Sequence, residues 1–151
     1  MQKLLSGVYV PLKQELDEWV NASYTNNPKE PQKLIHKTIP GILVRSKSEA
    51  LIINALFEHK IPFRYECLLQ IQNVSVYPDF TIRHPVTGEV YYWEHFGMMD
   101  DSIYVKNAIK KIEQYGKSGY VQGRNFIATF ESKEAPLNTV TINRVIQDFF
   151  Q

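Results

Sequence analysis

The segment Pro85-Val86-Thr87-Gly88 constrains this chain more than any other, because it lies between two runs that alternate as strands. A proline and a glycine so close together mark a turn, and alternating runs on either side make a β-hairpin. Residues 74–83 form one arm and residues 90–96 the other. Side chains two apart share a face of a strand, so Tyr77, Asp79 and Thr81 group together, as do Tyr92, Glu94 and Phe96. A turn centred near residues 86 and 87 then sets Asp79 nearly opposite Glu94. Like charges opposed in a sheet repel. Both acids also stand among aromatics (Tyr77 and Phe80; Tyr91, Tyr92 and Trp93), where a carboxylate is costly to bury without a cation or hydrogen bonds. A metal ion resolves both problems, and hard oxygen ligands favour Mg²⁺ or Mn²⁺ over zinc. A metal-dependent hydrolytic site is therefore the first hypothesis, with a phosphodiester as substrate.

Other elements group around the hairpin. Residues 11–21 read as a short amphipathic helix with Pro11 in its first turn and Leu12, Leu16, Trp19 and Val20 on one face. Residues 23–31 are a polar loop, and residues 34–45 are irregular, broken by Pro40-Gly41. Ser46 or Ser48 caps a largely apolar helix running to about His59. Pro62 ends it, residues 63–71 alternate as a strand, and Gln72-Asn73 turns into the first arm of the hairpin. Gly97 stops the second arm. A helix follows from Ser102 to about Gly116 or Gly119, then a strand over residues 125–130 and a closing helix over residues 141–150. Three strands in a meander, a crossover helix and a further strand predict an α/β fold: a mixed four-stranded sheet flanked by helices on both faces. Residues 1–35 are expected to form an N-terminal helical extension and residues 36–151 a single globular domain.

Composition excludes several alternatives. No apolar run approaches the roughly 18 residues of a membrane span, and the N-terminus lacks the pattern of a secretory signal. Cys67 is the sole cysteine, so an internal disulfide and a four-thiolate zinc site are ruled out. In its apolar strand pattern it reads as a core residue, and a cytoplasmic setting is expected. With 17 Lys+Arg against 16 Asp+Glu, the net charge of +1 is low for a dedicated nonspecific nucleic-acid binder. It does not weigh against a nuclease, whose acidic site offsets a basic groove.

Glu49 early in a helix, Pro78-Asp79 on a strand and Glu94 on the next strand resemble, in that order, the PD-(D/E)xK nuclease superfamily over residues 42–130. The stretch Tyr92-Trp93-Glu94-His95-Phe96-Gly97-Met98 is similar to a WEH-x-G-M variant found in nuclease domains of some bacterial and phage proteins, several linked to helicases. In that variant a tyrosine and a lysine-bearing helix follow, as Tyr104 and Lys111 do here. The resemblance implies a restriction-endonuclease-like core and Mg²⁺- or Mn²⁺-dependent hydrolysis of phosphodiester bonds, with DNA as the expected partner. A homodimer or a helicase-like partner is implied as well. It assigns Asp79, Glu94 and the His95 carbonyl to the metal, with Glu49 reaching the ion directly or through water.

The chain departs from that pattern at the lysine. Two residues after Glu94 stands Phe96. At about 100° per residue, Val105, Ala108, Ile109 and Ile112 form the core stripe of the following helix, and Lys106, Lys110 and Lys117 face solvent. Lys111 falls at the flank of the stripe with Tyr104 and Tyr115, which makes it the candidate migrated catalytic lysine.

Plainer readings accompany each residue. Glu49 also suits a helix's first turn. Glu66 shares a strand with Arg64 and can pair with it, or stand behind the site with Tyr104 and Tyr115. His95 points away from Glu94 on a regular strand. Lys106, Lys110, Lys117 and Arg124 form a solvated face that can also track a phosphate backbone. Tyr91, Tyr92 and Trp93 read as packing rather than base-stacking platforms, and Met98-Met99 as an apolar plug. The alternative to an enzyme is an inactive nuclease-like module that binds nucleic acid or a protein. A hydrolase of some other substrate lacks a glycine-rich phosphate loop or a His/Asp metal spacing to support it.

Overall fold

The computed structural model describes residues 2–5 and 8–151. It opens with an antiparallel pair, β1 (Gln2–Leu5) and β2 (Val8–Pro11), followed by α1 (Leu12–Asn21) and a 3₁₀ turn at Pro31–Lys33. Helix α2 (Lys47–Glu58) starts at Ser46, whose hydroxyl accepts from the Glu49 N–H. Strands β3 (Phe63–Tyr65), β4 (Leu69–Ile71), β5 (Val74–Val76), β6 (Phe80–Arg83) and β7 (Val90–Phe96) follow. The chain ends with α3 (Ser102–Lys117), β8 (Phe126–Phe130) and α4 (Thr139–Phe150).

The fold is α/β, built on a mixed four-stranded sheet in the order β3-β6-β7-β8. The first three strands run antiparallel, and β8 lies parallel to β7 after the crossover through α3. Strand parity divides the core. Phe80, Ile82, Trp93 and Ile127 pack on one face against Ile52, Ile53 and Leu56 of α2 and Ile142, Ile146 and Phe150 of α4. Tyr92 and Phe126 pack on the other against Tyr115 of α3 and Ile71 of β4. Among the described residues no helix is long and apolar enough to cross a membrane. Cys67 is buried and unpaired, as a core residue should be.

Two expected strands are each cut in two. Residues 63–71 divide into β3 and β4, and residues 74–83 into β5 and β6, so β4 and β5 form a separate hairpin. Gln72 and Asn73 turn that hairpin with positive φ of 51° and 64°. The cause is the early loop. Leu68 N–H donates to Thr25, Asn27 N–H donates to Glu66, and Cys67 bridges to Asn26. These bonds occupy main-chain groups that a continuous ladder needs, and Glu66 turns away with a φ of 50°. One step further, where that register would set Cys67 against residue 78, Pro78 has no N–H to offer a ladder. The N-terminal segment thus holds a strand pair as well as the expected helix. It is tied to the sheet by Arg64, which stacks over Trp19 and Tyr24, and by the 3.0 Å Arg83–Glu15 ion pair.

Candidate active site

The register of the central hairpin pairs Phe80 with Trp93 and Thr81 with Tyr92. Continued by one residue, it sets Asp79 against Glu94, as the turn at residues 85–88 predicts. Asp79 itself lies just before β6 rather than within a strand. Its Oδ2 accepts a 2.8 Å bond from the His95 N–H, so the aspartate closes the ladder that Pro78 interrupts.

Glu94 is almost wholly buried on the face that α3 covers. Two donors from α3 meet its Oε1: the Tyr115 hydroxyl at 2.9 Å and the Lys111 ammonium at 3.1 Å. Tyr104, Lys111 and Tyr115 therefore share one helix edge, as their spacing predicts. The stripe differs in one member, because Ile109 is exposed and Tyr115 takes the inner place. Asp79, Glu94, Phe96, Tyr104, Asn107 and Lys111 line an open cleft of about 290 Å³. The Tyr104 hydroxyl accepts from Gly97 N–H, fixing the chain at the end of β7.

The electrostatics follow from this crowding. Burial, then Glu94 and Glu49, pushes the Asp79 carboxyl well above the usual aspartate range, with Lys111 only partly offsetting them. Burial pulls the Lys111 ammonium down, but Glu94 and Asp79 outweigh it and hold the pKa above the ordinary lysine value. Lys111 is thus a fixed cation at neutral pH, able to donate hydrogen bonds but not to take a proton. Burial and Glu94 likewise raise the Tyr115 phenol, which remains a donor.

Whether this cleft fits a divalent ion turns on its donors. The bonds described engage Oδ2 of Asp79 and Oε1 of Glu94, and none of them uses Oδ1 or Oε2, so each carboxylate keeps an oxygen that could serve as a ligand. Among the described residues no three His, Cys, Asp or Glu side chains converge on a metal position. The set is two carboxylates, with main-chain carbonyl and water to complete it, which is the sparse oxygen shell that Mg²⁺ accepts. The donors fit.

Other expected residues lie elsewhere. Glu49 is buried on the α2 side of the sheet, where its Oε1 accepts from the Tyr65 hydroxyl at 2.8 Å and from Arg45 N–H. Burial raises its pKa, and it reaches Asp79 through its field. Glu66 pairs with Arg45 at 2.8 Å, not with Arg64, whose guanidinium is taken up by the aromatic rings and carbonyl of the N-terminal segment. The His95 ring turns away from Glu94 to Thr129 Oγ1 at 2.8 Å and Glu131 at 2.7 Å. Lys106, Lys110, Lys117 and Arg124 are exposed. Met98 is exposed too and plugs nothing, whereas Tyr92 and Trp93 are buried packing residues.

Sequence reasoning missed two groups. Asn107 could have been found, since it stands three residues after Tyr104 and four before Lys111 on one helix edge. The network of His95, Thr129, Glu131 and Ser48, in which Ser48 donates to Glu131, could not. It depends on the parallel register that pairs His95 with Thr129.

The chain is 32% identical over 109 residues to an uncharacterized protein of Methanocaldococcus jannaschii. That match covers 72% of this chain and 9% of the relative, so the chain spans less than a tenth of that protein's length. No family model matches the chain, and neither does any solved structure.

Proposed function

We propose that this chain is a Mg²⁺- or Mn²⁺-dependent nuclease that hydrolyses phosphodiester bonds of DNA. The observation that carries the reading is the convergence in one open cleft of Asp79, Glu94 and a lysine ion-paired to Glu94. The strand order and crossover are compatible with a restriction-endonuclease-like core over residues 36–151. Asp79, Glu94 and the His95 carbonyl hold the ion, which supplies Lewis-acid activation of water and neutralises phosphate charge. Lys111 donates toward the attacking water and the phosphate oxygens. Tyr115 steadies Glu94, and Glu49 tunes Asp79 from across the sheet. Lys106, Lys110, Lys117 and Arg124 are exposed cations for the phosphate backbone.

Phe96 in the usual lysine position favours one second reading, an inactive nuclease-like module that binds nucleic acid. Lys111 separates the two. Cleavage of labelled single- and double-stranded DNA and RNA with Mg²⁺, Mn²⁺ or EDTA tests the choice. Metal-dependent cleavage lost in Lys111→Met supports the enzyme. Folded protein that binds DNA but cleaves nothing supports the module.

A further inference from the structure

Phe96 stands two residues after Glu94, on the same face of β7, and connects the carboxylate cleft to an exposed aromatic ring. Its ring lines the carboxylate cleft and pairs in register with Phe130 on β8. The two rings lie 5.4 Å apart and 18° from parallel. Phe96 is buried, but Phe130 is 44% exposed. Strand parity puts both on the face that carries Glu94. Through Phe96, which lines the cleft, the stack runs to the surface and ends in the exposed Phe130 ring, covered by Phe96 on one side.

The surface just past this stack is hollow. Gly97 and Met98 follow Phe96, Glu131, Ser132 and Lys133 follow Phe130, and these residues line a second pocket of about 580 Å³. Its acids Asp100 and Asp101 already accept from main-chain N–H groups of Lys133 and of Ile103 and Tyr104. The Lys133 ammonium has no ion-pair partner among the described residues and is exposed. An exposed aromatic ring at the end of β8, with an exposed lysine three residues further on lining the adjoining pocket, has the composition of a nucleotide subsite.

Resting on the nuclease reading, we infer that Phe130 is a stacking platform for an unpaired nucleobase flanking the scissile phosphate, so that the preferred substrate is single-stranded. A base can lie flat on a ring only when its own neighbour has left the stack, and a continuous duplex offers grooves and edges instead. Phe130 acts in substrate selection and not in the chemistry.

The test compares wild type, Phe130→Ala and Phe130→Trp on one labelled DNA sequence, single-stranded and as a blunt duplex, with Mn²⁺. In parallel, 2-aminopurine fluorescence of a single-stranded oligonucleotide is read with Ca²⁺ in place of Mn²⁺. Phe130→Ala is expected to lower kcat/KM on the single strand about tenfold, mostly through KM. Duplex cleavage is unchanged, and Phe130→Trp restores the single-strand rate. Equal effects on both substrates, or none on the single strand, overturn the inference. Should wild type cleave neither substrate, the nuclease reading falls alone. The platform then stands if 2-aminopurine is quenched by wild type and not by Phe130→Ala, and falls if the two proteins behave alike.

Discussion

The cleft sets Asp79, whose carboxyl burial pushes well above the aspartate range, beside the buried Glu94 that Lys111 and Tyr115 hold; turn position and strand parity make that cross-strand pair legible in the sequence. Lys111 was legible because helical spacing put it on one edge with Tyr104 and Tyr115. Glu49 and Glu66 were not: their partners Tyr65 and Arg45 come from a loop and strand end whose placement no local pattern encodes. The charges make two predictions. A carboxyl with a raised folded pKa stabilises the metal-free protein below its unfolded value and loses that contribution as pH rises through the raised one. Asp79 is such a group, and a bound cation replaces its proton. The increase in Tm caused by Mn²⁺ should therefore grow as pH rises from the ordinary aspartate range through the raised Asp79 pKa, and vanish in Asp79→Asn. A Tm increase independent of pH would contradict Asp79 as ligand. For Tyr115→Phe, losing one donor to a buried carboxylate should cost about 1–3 kcal/mol in urea unfolding, because Glu94 keeps only the Lys111 bond.

The strands show where pattern reading stops. Alternation continued through residues 63–71 and 74–83, yet both runs break at matched points, since Thr25–Asn27 captures the main chain of Glu66–Leu68. Periodicity reports which side chains are apolar and says nothing of a distant loop competing for the backbone. Two predictions concern these elements. The β4–β5 turn holds Gln72 and Asn73 at positive φ, so the double change Gln72→Asn, Asn73→Gly supplies the residues such a turn prefers. It should stabilise the protein by about 0.5–1 kcal/mol by chemical denaturation. At the end of β8, burial raises the Glu131 carboxyl, but Ser48, His95 and Leu137 N–H outweigh it and hold the pKa below 4.5. A depressed carboxyl stabilises above its unfolded value and loses that contribution as pH falls through the folded one. Glu131→Gln should therefore lower Tm at neutral pH and flatten its fall below pH 4.5; a Tm profile parallel to wild type would contradict the pairing.

Considered whole, the molecule keeps its main apolar core on one face of the sheet and the carboxylate cleft on the other. The apolar core under α2 and α4 fixes the strands, and the face under α3 presents acids, lysine and aromatics in an open cleft. The class α/β and the mixed four-stranded sheet were readable in the sequence; the N-terminal strand pair was not, because two four-residue strands carry too short a pattern. The central claim is that Asp79, Glu94 and Lys111 together hydrolyse a phosphodiester with a divalent metal. The most direct measurement is cleavage of end-labelled DNA by wild type and by Lys111→Met, each with Mn²⁺ and with EDTA, alongside the Tm of both proteins. The expected result is Mn²⁺-dependent cleavage by wild type, none with EDTA, and a loss of about a hundredfold or more in a Lys111→Met protein that remains folded. Full cleavage by folded Lys111→Met, or cleavage undiminished by EDTA, would contradict it.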